Sequence, residues 1–348
     1  MSRALTGRPV LVLGASGYLG QHICTAFAAA GARVTGVSRG ARQGAPSRPD
    51  GRSAGTAGAA MTDTVHLDLA ASGSAALTRL CAASAAQVVV NAVGTVWQGT
   101  EDQMAECNTR LVERLTDAVA ALPRRPRLIQ IGTAYEYGPA GPDDLIGEDW
   151  PPAPATAYGR TKLAGTRAVL GAVRKGEVDG VVLRASVTCG PGAPRGSLPG
   201  NVAADLAAGR GVLRLAPLRA HRDILDVRDV ADAVVAAARV PGPAIAEAGA
   251  VINIARGESV PVRRLVDLMI ACSGRSVRVR EEQPDANRSG TLWQRLDVSR
   301  ARHLLGWTPH RSLTESVRDL LTAAGVAVPG VPEDVASGSS TFLGTVHE

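Results

Sequence analysis

Aromatic residues are scarce, at 3% of the 348-residue chain, and they do not interleave with the arginines. Single-stranded nucleic acids are held on stacking platforms beside basic side chains, and duplexes on a basic stripe or patch. The formal charge of +6 comes instead from arginines scattered along the whole chain, so no nucleic-acid partner is expected. Cysteine is also thin. Cys24, Cys81, Cys107, Cys189 and Cys272 lie far apart, without a C-x-x-C pair, and the six histidines show no metal spacing. This argues against a disulfide framework and a zinc site, and no metal is expected. No apolar run approaches the roughly 20 residues that a membrane span requires, and MSRALTGRPV leads toward a strand rather than a signal-peptide core. A cytoplasmic protein with no membrane partner is expected, and its surplus of positive charge suits a small anionic substrate.

What is present is an ordinary globular composition, 45% hydrophobic and 20% charged, in a chain longer than one core usually spans. Apolar runs recur at Pro9–Leu13, Arg33–Val37, Val65–Leu67, Gln87–Asn91, Arg127–Ile131, Val181–Arg184 and Val251–Ile254, separated by Ala-rich helical stretches. Strands alternating with helices predict an α/β fold, a Rossmann-type doubly wound parallel sheet of about seven strands. The first five runs read as the sheet of one domain. Residues 1–185 form that domain, joined by segments near 221–255, while 186–220 and 256–328 form a smaller C-terminal lobe for substrate. Gly40–Ala60 reads as a mobile surface loop and 329–348 as a disordered tail.

The first strand runs into Gly14-Ala-Ser-Gly17-Tyr-Leu-Gly20 and then a helical stretch closed by Gly31. Glycines in this strand–turn–helix context permit a tight turn and close approach of backbone to a pyrophosphate facing the helix N-terminus. Gly14, Ser16, Gly17, Tyr18, Leu19 and Gly20 are therefore expected to cradle a dinucleotide. After the second strand, where NAD-selective folds place an acid, stand Ser38 and Arg39. A guanidinium there suits a 2′-phosphate, so NADP(H) is the preferred cofactor and NAD(H) the second choice. The alternative is an ordinary solvated arginine. Asp68, followed by Leu69, either accepts from the adenine amino group or caps the next helix.

Tyr158 and Lys162 are four residues apart on a predicted helix and project from one face. Free tyrosine, with a pKa near ~10, is a poor acid or base at neutral pH. A neighbouring ammonium favours phenolate and is expected to lower that value. Thr133 ends the fifth strand, on the edge where open parallel sheets bind ligands.

From Arg8 to about Leu321 the sequence resembles the extended short-chain dehydrogenase/reductases, the nucleotide-sugar epimerase, dehydratase and ketoreductase group. The resemblance rests on the glycine motif, Asn91-Ala-Val-Gly94, Asn108, Gly132-Thr-Ala-Tyr-Glu-Tyr-Gly138 and Tyr158-Gly-Arg-Thr-Lys162. It continues through Leu183-Arg184, Gly190-Pro191, the run from His221 to Asp232 and the run from Leu296 to Trp307. It implies that Asn91, Ala92, Val93, Gly94 and Asn108 border the cofactor and that Lys162 grips the nicotinamide ribose. It also implies that Thr133 holds the substrate oxygen beside Tyr158, and that Arg222 and Arg288 clamp a substrate diphosphate. A homodimer is expected on the same ground.

Departures from the family pattern narrow the reaction. The family's 4,6-dehydratases follow the threonine with Asp-Glu, where this chain has Ala134-Tyr135. Val187 replaces an asparagine that touches substrate in many epimerases, Cys189 reads as a small buried thiol, and His221 as a rim residue. Arg39 favours NADPH, and with it reduction of a nucleotide-linked 4-keto-6-deoxyhexose. An NAD-dependent nucleotide-sugar 4-epimerase is the second reading, and a non-catalytic dinucleotide sensor the third.

Overall fold

The computed structural model describes residues 4–39, 61–95, 99–282 and 292–329. The expected loop at Gly40–Ala60, the tail from Gly330 onward and Arg288 lie outside these residues. In chain order, β1 (Pro9–Leu13) leads through the glycine turn into α1 (Tyr18–Ala29), then β2 (Arg33–Ser38), β3 (Asp63–His66), α2 (Ser74–Ala83) and β4 (Val88–Asn91). One continuous helix follows, made of α3 (Glu101–Ala105), a π-helical turn at Glu106–Arg110 and α4 (Leu111–Ala120). β5 (Arg127–Thr133) runs into a 3-10 turn at Ala134–Glu136, and α5 (Ala157–Arg174) leads back to β6 (Gly180–Ala185). Next come β7 (Val187–Cys189), α6 (Leu198–Ala207), β8 (Val212–Leu215), β9 (His221–Arg222), β10 (Ile224–Asp226), α7 (Val227–Arg239), α8 (Gly242–Glu247) and β11 (Val251–Ile254). β12 (Val260–Pro261), α9 (Val262–Ser273), β13 (Arg278–Glu281), a second π-helical turn at Ala301–Leu305 and α10 (Leu313–Ala323) complete the described chain.

Seven strands form one parallel sheet in the order β11-β6-β5-β4-β1-β2-β3. The seven apolar runs of the sequence thus share one sheet, β6 and β11 extending the first five strands. The third strand begins earlier than expected, at Asp63, because Thr35 to Ser38 pair with Asp63 to His66. Alternation along each strand divides the core. Val10, Val12, Ile129 and Ile131 pack with Ile23 and Phe27 of α1 and Val230 and Val234 of α7. Leu11, Leu13 and Leu128 pack on the other face with Leu111 and Leu115 of α4 and Val169 of α5. The strand order reverses between β1 and β4, which opens a crevice at their carboxyl ends.

The smaller lobe has its own core of Val202, Leu206, Leu213, Val266, Met269 and Leu320. Its short strands pair across long sequence gaps, β13 parallel with β8 and β12 antiparallel with β9. A buried carboxylate and a buried indole fasten it to the sheet. Asp223 accepts the backbone N–H groups of Arg256 at 2.8 Å, Gly257 at 2.9 Å and Leu296 at 3.3 Å, and burial pushes its carboxyl up to about 6. The Trp307 indole donates to the Asp229 carbonyl at 3.0 Å. The runs around His221–Asp232 and Leu296–Trp307 are therefore joined to one another and largely build the fold. Among the described residues no helix is long and apolar enough to cross a membrane.

Candidate active site

Gly14 leaves β1 at a φ of 79°, and the Gly17 N–H closes the turn on the Gly14 carbonyl at 2.9 Å. A Cβ on Gly20 would stand 2.1 Å from that same oxygen, so only glycine lets α1 start so close to the strand. No side chain caps α1 at Gly17, which leaves its first N–H groups to a ligand in the crevice. This cradle fits a pyrophosphate. Leu19 packs toward the core, the Ser16 carbonyl accepts from Gln21 Nε2, and the Tyr18 hydroxyl donates to the Gly190 carbonyl at 3.4 Å. Ser38 ends β2, and Arg39 behind it is exposed, with no hydrogen bond to another described residue. Leu69 is buried, whereas Asp68 Oδ1 accepts the N–H groups of Ala70 at 3.1 Å and Ala71 at 3.4 Å. Asp68 thus closes a turn. The helix that follows begins at Ser74 behind Gly73, so the expected helix cap is corrected to a turn acceptor.

Thr133 is the last residue of β5, and its hydroxyl hydrogen-bonds the Tyr158 phenol. Tyr158 lies in the first turn of α5, which Thr156 caps by accepting the Gly159 N–H at 3.1 Å. A Cβ on Gly159 would fall 2.5 Å from the Tyr135 carbonyl, so a bare α-carbon there brings the helix onto the turn that carries Thr133. The Tyr135 and Tyr158 rings meet edge to face at 6.0 Å. Lys162, one helical turn on, is buried and donates to the Ile131 carbonyl at 2.5 Å.

The electrostatics correct one expectation. Burial holds the Tyr158 phenol well above its ordinary value, with the Thr133 hydrogen bond opposing and Glu136 and Tyr135 adding to the rise. Lys162 is itself brought down by burial to about 8, Glu136 opposing, and its donor rests on the Ile131 carbonyl. Tyr158 is therefore a neutral phenol at physiological pH.

Asn91 and Asn108 are buried. Asn108 sits in the π-helical turn, an insertion often found at functional sites. Its Oδ1 accepts the Thr95 N–H at 3.1 Å, while Nδ2 donates to the Thr95 carbonyl at 3.0 Å and to Thr161 Oγ1 at 3.1 Å. The loop containing Ala92, Val93 and Gly94 is thereby tied to the residue before Lys162. Arg222 is buried too, its Nη1 donating to the His221 and Leu292 carbonyls at 2.8 and 3.2 Å. The His221 ring stacks on Trp293 at 3.6 Å. Cys189 is fully buried, and burial pushes its thiol up to about 12, which removes it as a nucleophile.

Glu136 and Arg184, which the sequence presents only as members of longer motifs, hold the site together. Glu136 is fully buried, accepting the Thr133 N–H at 2.9 Å through Oε1 and the Arg184 Nε–H at 2.8 Å through Oε2. The Arg184 guanidinium lies 4.4 Å over the Tyr137 ring, whose hydroxyl donates to Asn253 at 2.7 Å. A signal for Glu136 was present: Thr133-Ala-Tyr-Glu136 has capping-box spacing, and the box forms.

The model of the NAD dependent epimerase/dehydratase family matches residues 10–255. A relative from Kitasatospora kifunensis, dTDP-6-deoxy-L-talose 4-dehydrogenase (NAD(P)(+)), is 40% identical over 324 residues, covering 91% of this chain and 96% of that protein. Among solved structures, MoeE5 in complex with UDP-glucuronic acid and NAD is 23% identical, with a TM-score of 0.75, over 91% of this chain and 98% of that one. RMD from Pseudomonas aeruginosa complexed with NADPH is 21% identical, with a TM-score of 0.73, over the same shares. At such identities the structures show the fold alone. The family match and the bacterial relative go further: the chain belongs to the NAD dependent epimerase/dehydratase family, and it is an NAD(P)-dependent oxidoreductase of the extended short-chain dehydrogenase/reductase type.

Proposed function

We propose that the protein is an NADPH-dependent reductase of a nucleotide-linked 4-keto-6-deoxyhexose. The observation that carries this reading is the place of the Tyr158 phenol, hydrogen-bonded to Thr133 at the carboxyl edge of β5 and one helical turn from Lys162. A phenol placed there can give its proton to an alkoxide forming on a substrate carbonyl, which is a far stronger base than phenolate. The substrate class comes from the relative named as a dTDP-6-deoxy-L-talose 4-dehydrogenase, an oxidation whose reverse is this ketone reduction.

The reduced nicotinamide supplies the hydride. Gly14, Ser16, Gly17, Tyr18, Leu19 and Gly20 would hold the pyrophosphate at the start of α1, and Asn91 to Gly94 with Asn108 would border its nicotinamide half. The exposed Arg39, following β2, supports NADPH over NADH. Asp68 and Leu69 stand at the adenine end, although Asp68 Oδ1 already serves its own turn. Thr133 orients the carbonyl oxygen, Tyr158 delivers the proton, and Lys162 holds the ribose. Arg222 and Arg288 would clamp the substrate diphosphate with their guanidinium groups.

The test follows reduced-nicotinamide absorbance with NADPH, and separately NADH, against a panel of nucleotide-linked 4-keto-6-deoxyhexoses. Stoichiometric loss of NADPH, abolished in Tyr158→Phe, is expected. Interconversion of nucleotide sugars on bound NAD, with no net oxidation, would replace this reading with the epimerase.

A further inference from the structure

Along the chain from Leu292 to Val298 exposure alternates: Gln294, Leu296 and Val298 are buried, while Trp293, Arg295 and Asp297 are half-buried. That two-residue period belongs to an extended chain, in which alternate side chains share a face. Leu296 and Val298 show which face this is, because they cluster with Ala134 and Tyr137 from the turn that follows Thr133. Gln294 continues the stripe toward Leu292, whose carbonyl accepts from the His221 N–H at 2.7 Å and from Arg222 Nη1 at 3.2 Å. The other end is pinned as well: the Arg295 carbonyl accepts the Ile146 N–H at 2.9 Å, and the Leu296 N–H donates to Asp223 Oδ2 at 3.3 Å. Gln294 therefore stands about 7 Å of extended chain from Leu296 at the catalytic turn, and the same from Leu292 at Arg222. A polar side chain is out of keeping with the rest of this stripe. Gln294 is 3% exposed, and its Oε1 is buried with no hydrogen-bond partner among the described residues. Such an acceptor carries its full desolvation penalty, which a methionine of similar shape would not, so its presence calls for a donor from elsewhere.

We infer that Gln294 is a substrate-binding residue whose Oε1 accepts a hydroxyl from the C2–C3 edge of the sugar ring. The inference rests on the reading of the protein as a reductase of a nucleotide-linked 4-keto-6-deoxyhexose. In that substrate C1 carries the diphosphate, expected at Arg222, and C4 is the carbonyl carbon, expected at Thr133 and Tyr158. The ring spans the interval between them, which is the interval Gln294 faces. Two edges of the ring join C1 to C4. One consists of the ring oxygen and C5 with its methyl group, and it has no donor. The other consists of C2 and C3, each with a hydroxyl, and an acceptor in want of a donor matches this edge. The last torsion of a glutamine is soft, so the amide can turn its oxygen to an incoming hydroxyl. With C1 and C4 held, only rotation about the line joining them is left to the ring, and this contact fixes it.

The experiment compares kcat/KM on a nucleotide-linked 4-keto-6-deoxyhexose and on its 2-deoxy and 3-deoxy analogues, for wild type, Gln294→Met and Gln294→Leu, beside urea unfolding of each protein. Gln294→Met is expected to lower kcat/KM on the parent sugar about tenfold, the loss of one hydrogen bond to a buried acceptor. On the analogue that lacks the paired hydroxyl the same change is expected to alter it by less than about twofold. The urea midpoint of Gln294→Met is expected to be no lower than that of wild type, since the change removes an unpartnered buried oxygen and conserves volume. Gln294→Leu is expected to repeat the pattern on the three sugars should Gln294→Met fold poorly. A lower midpoint, with the same loss of kcat/KM on all three sugars, would mean that the glutamine serves only the fold, and would overturn the inference. So would an unaltered kcat/KM on the parent sugar in both variants. Failure of wild type to reduce the parent sugar would instead strike the reductase reading, and it is seen before any variant is compared.

Discussion

Glu136→Gln would split a buried ion pair that also fixes the backbone of Thr133. The wild-type carboxylate accepts from two donors at once, the Thr133 N–H at 2.9 Å and the Arg184 Nε–H at 2.8 Å. A glutamine of the same shape has one carbonyl oxygen and one amino group. Whichever donor meets the amino group is left unsatisfied, and the Arg184 guanidinium, 3% exposed, keeps its charge with no carboxylate beside it. Breaking a buried ion pair from one side costs about 3–5 kcal/mol, a figure that includes the orphaned donor. With a urea m-value near 3 kcal/mol/M, a high value for small proteins that suits this chain's length, the unfolding midpoint falls by about 1 M or more. Because the same carboxylate fixes the Thr133 backbone, the Thr133–Tyr158 contact loosens, and kcat falls even under conditions where the variant is fully folded. The assay is urea unfolding followed by far-ultraviolet circular dichroism, with turnover measured well below the transition. A loss of less than about 1 kcal/mol with unaltered kcat would mean that the pair neither carries the turn nor places Thr133.

Gly20→Ala puts a methyl group where the Gly14 carbonyl lies 2.1 Å away, so α1 must retreat from the turn. The expected result is a loss of dinucleotide affinity of about tenfold or more, from roughly 1–3 kcal/mol of overpacking, by titration of NADPH fluorescence. Lys162 gives a pH signature. Its folded-state value is brought below the ordinary 10.5, to about 8, by burial, so between those two values the unfolded chain binds more protons than the native one. Stability therefore rises with pH through this window, and Lys162→Met removes that rise, measurable as urea midpoints between pH 8 and 10.5. Tyr158→Phe keeps the ring packed on Tyr135 and removes the proton donor, so kcat is expected to fall by about 100-fold or more while the NADPH Kd stays within about twofold.

The central sheet was legible because β1, β4, β5, β6 and β11 are runs rich in Val, Ile and Leu buried on both faces, and such runs stand out between glycine and proline punctuation. Two of them, Pro9–Leu13 and Val251–Ile254, have the same bounds in sequence and structure. The lobe was not legible at that level. β9 and β12 are two residues each, too short for any alternation to register, and they exist because Arg222 and Val260, far apart in sequence, come together. Within the site, the glycine turn and the Tyr158–Lys162 spacing are local patterns and appear in the sequence directly. The partner of Lys162 is not local. It is the Ile131 carbonyl of β5, a pairing between elements that no spacing of residues announces. The π-helical turn around Asn108 is equally silent, since the helical pattern runs through Glu106–Arg110 without a break. Glu136 is an intermediate case, written in the capping-box spacing but concealed inside a turn whose threonine drew the attention.

The most direct measurement is a single turnover with NADPH deuterated at the transferable C4 position and a nucleotide-linked 4-keto-6-deoxyhexose, with the sugar product followed by proton NMR. The deuterium is expected on the former carbonyl carbon, with one NADPH consumed per product, and Tyr158→Phe is expected to bind the labelled cofactor without transferring the label. A product with no deuterium at that carbon, or turnover of the sugar with the NADPH intact, would contradict hydride transfer from NADPH.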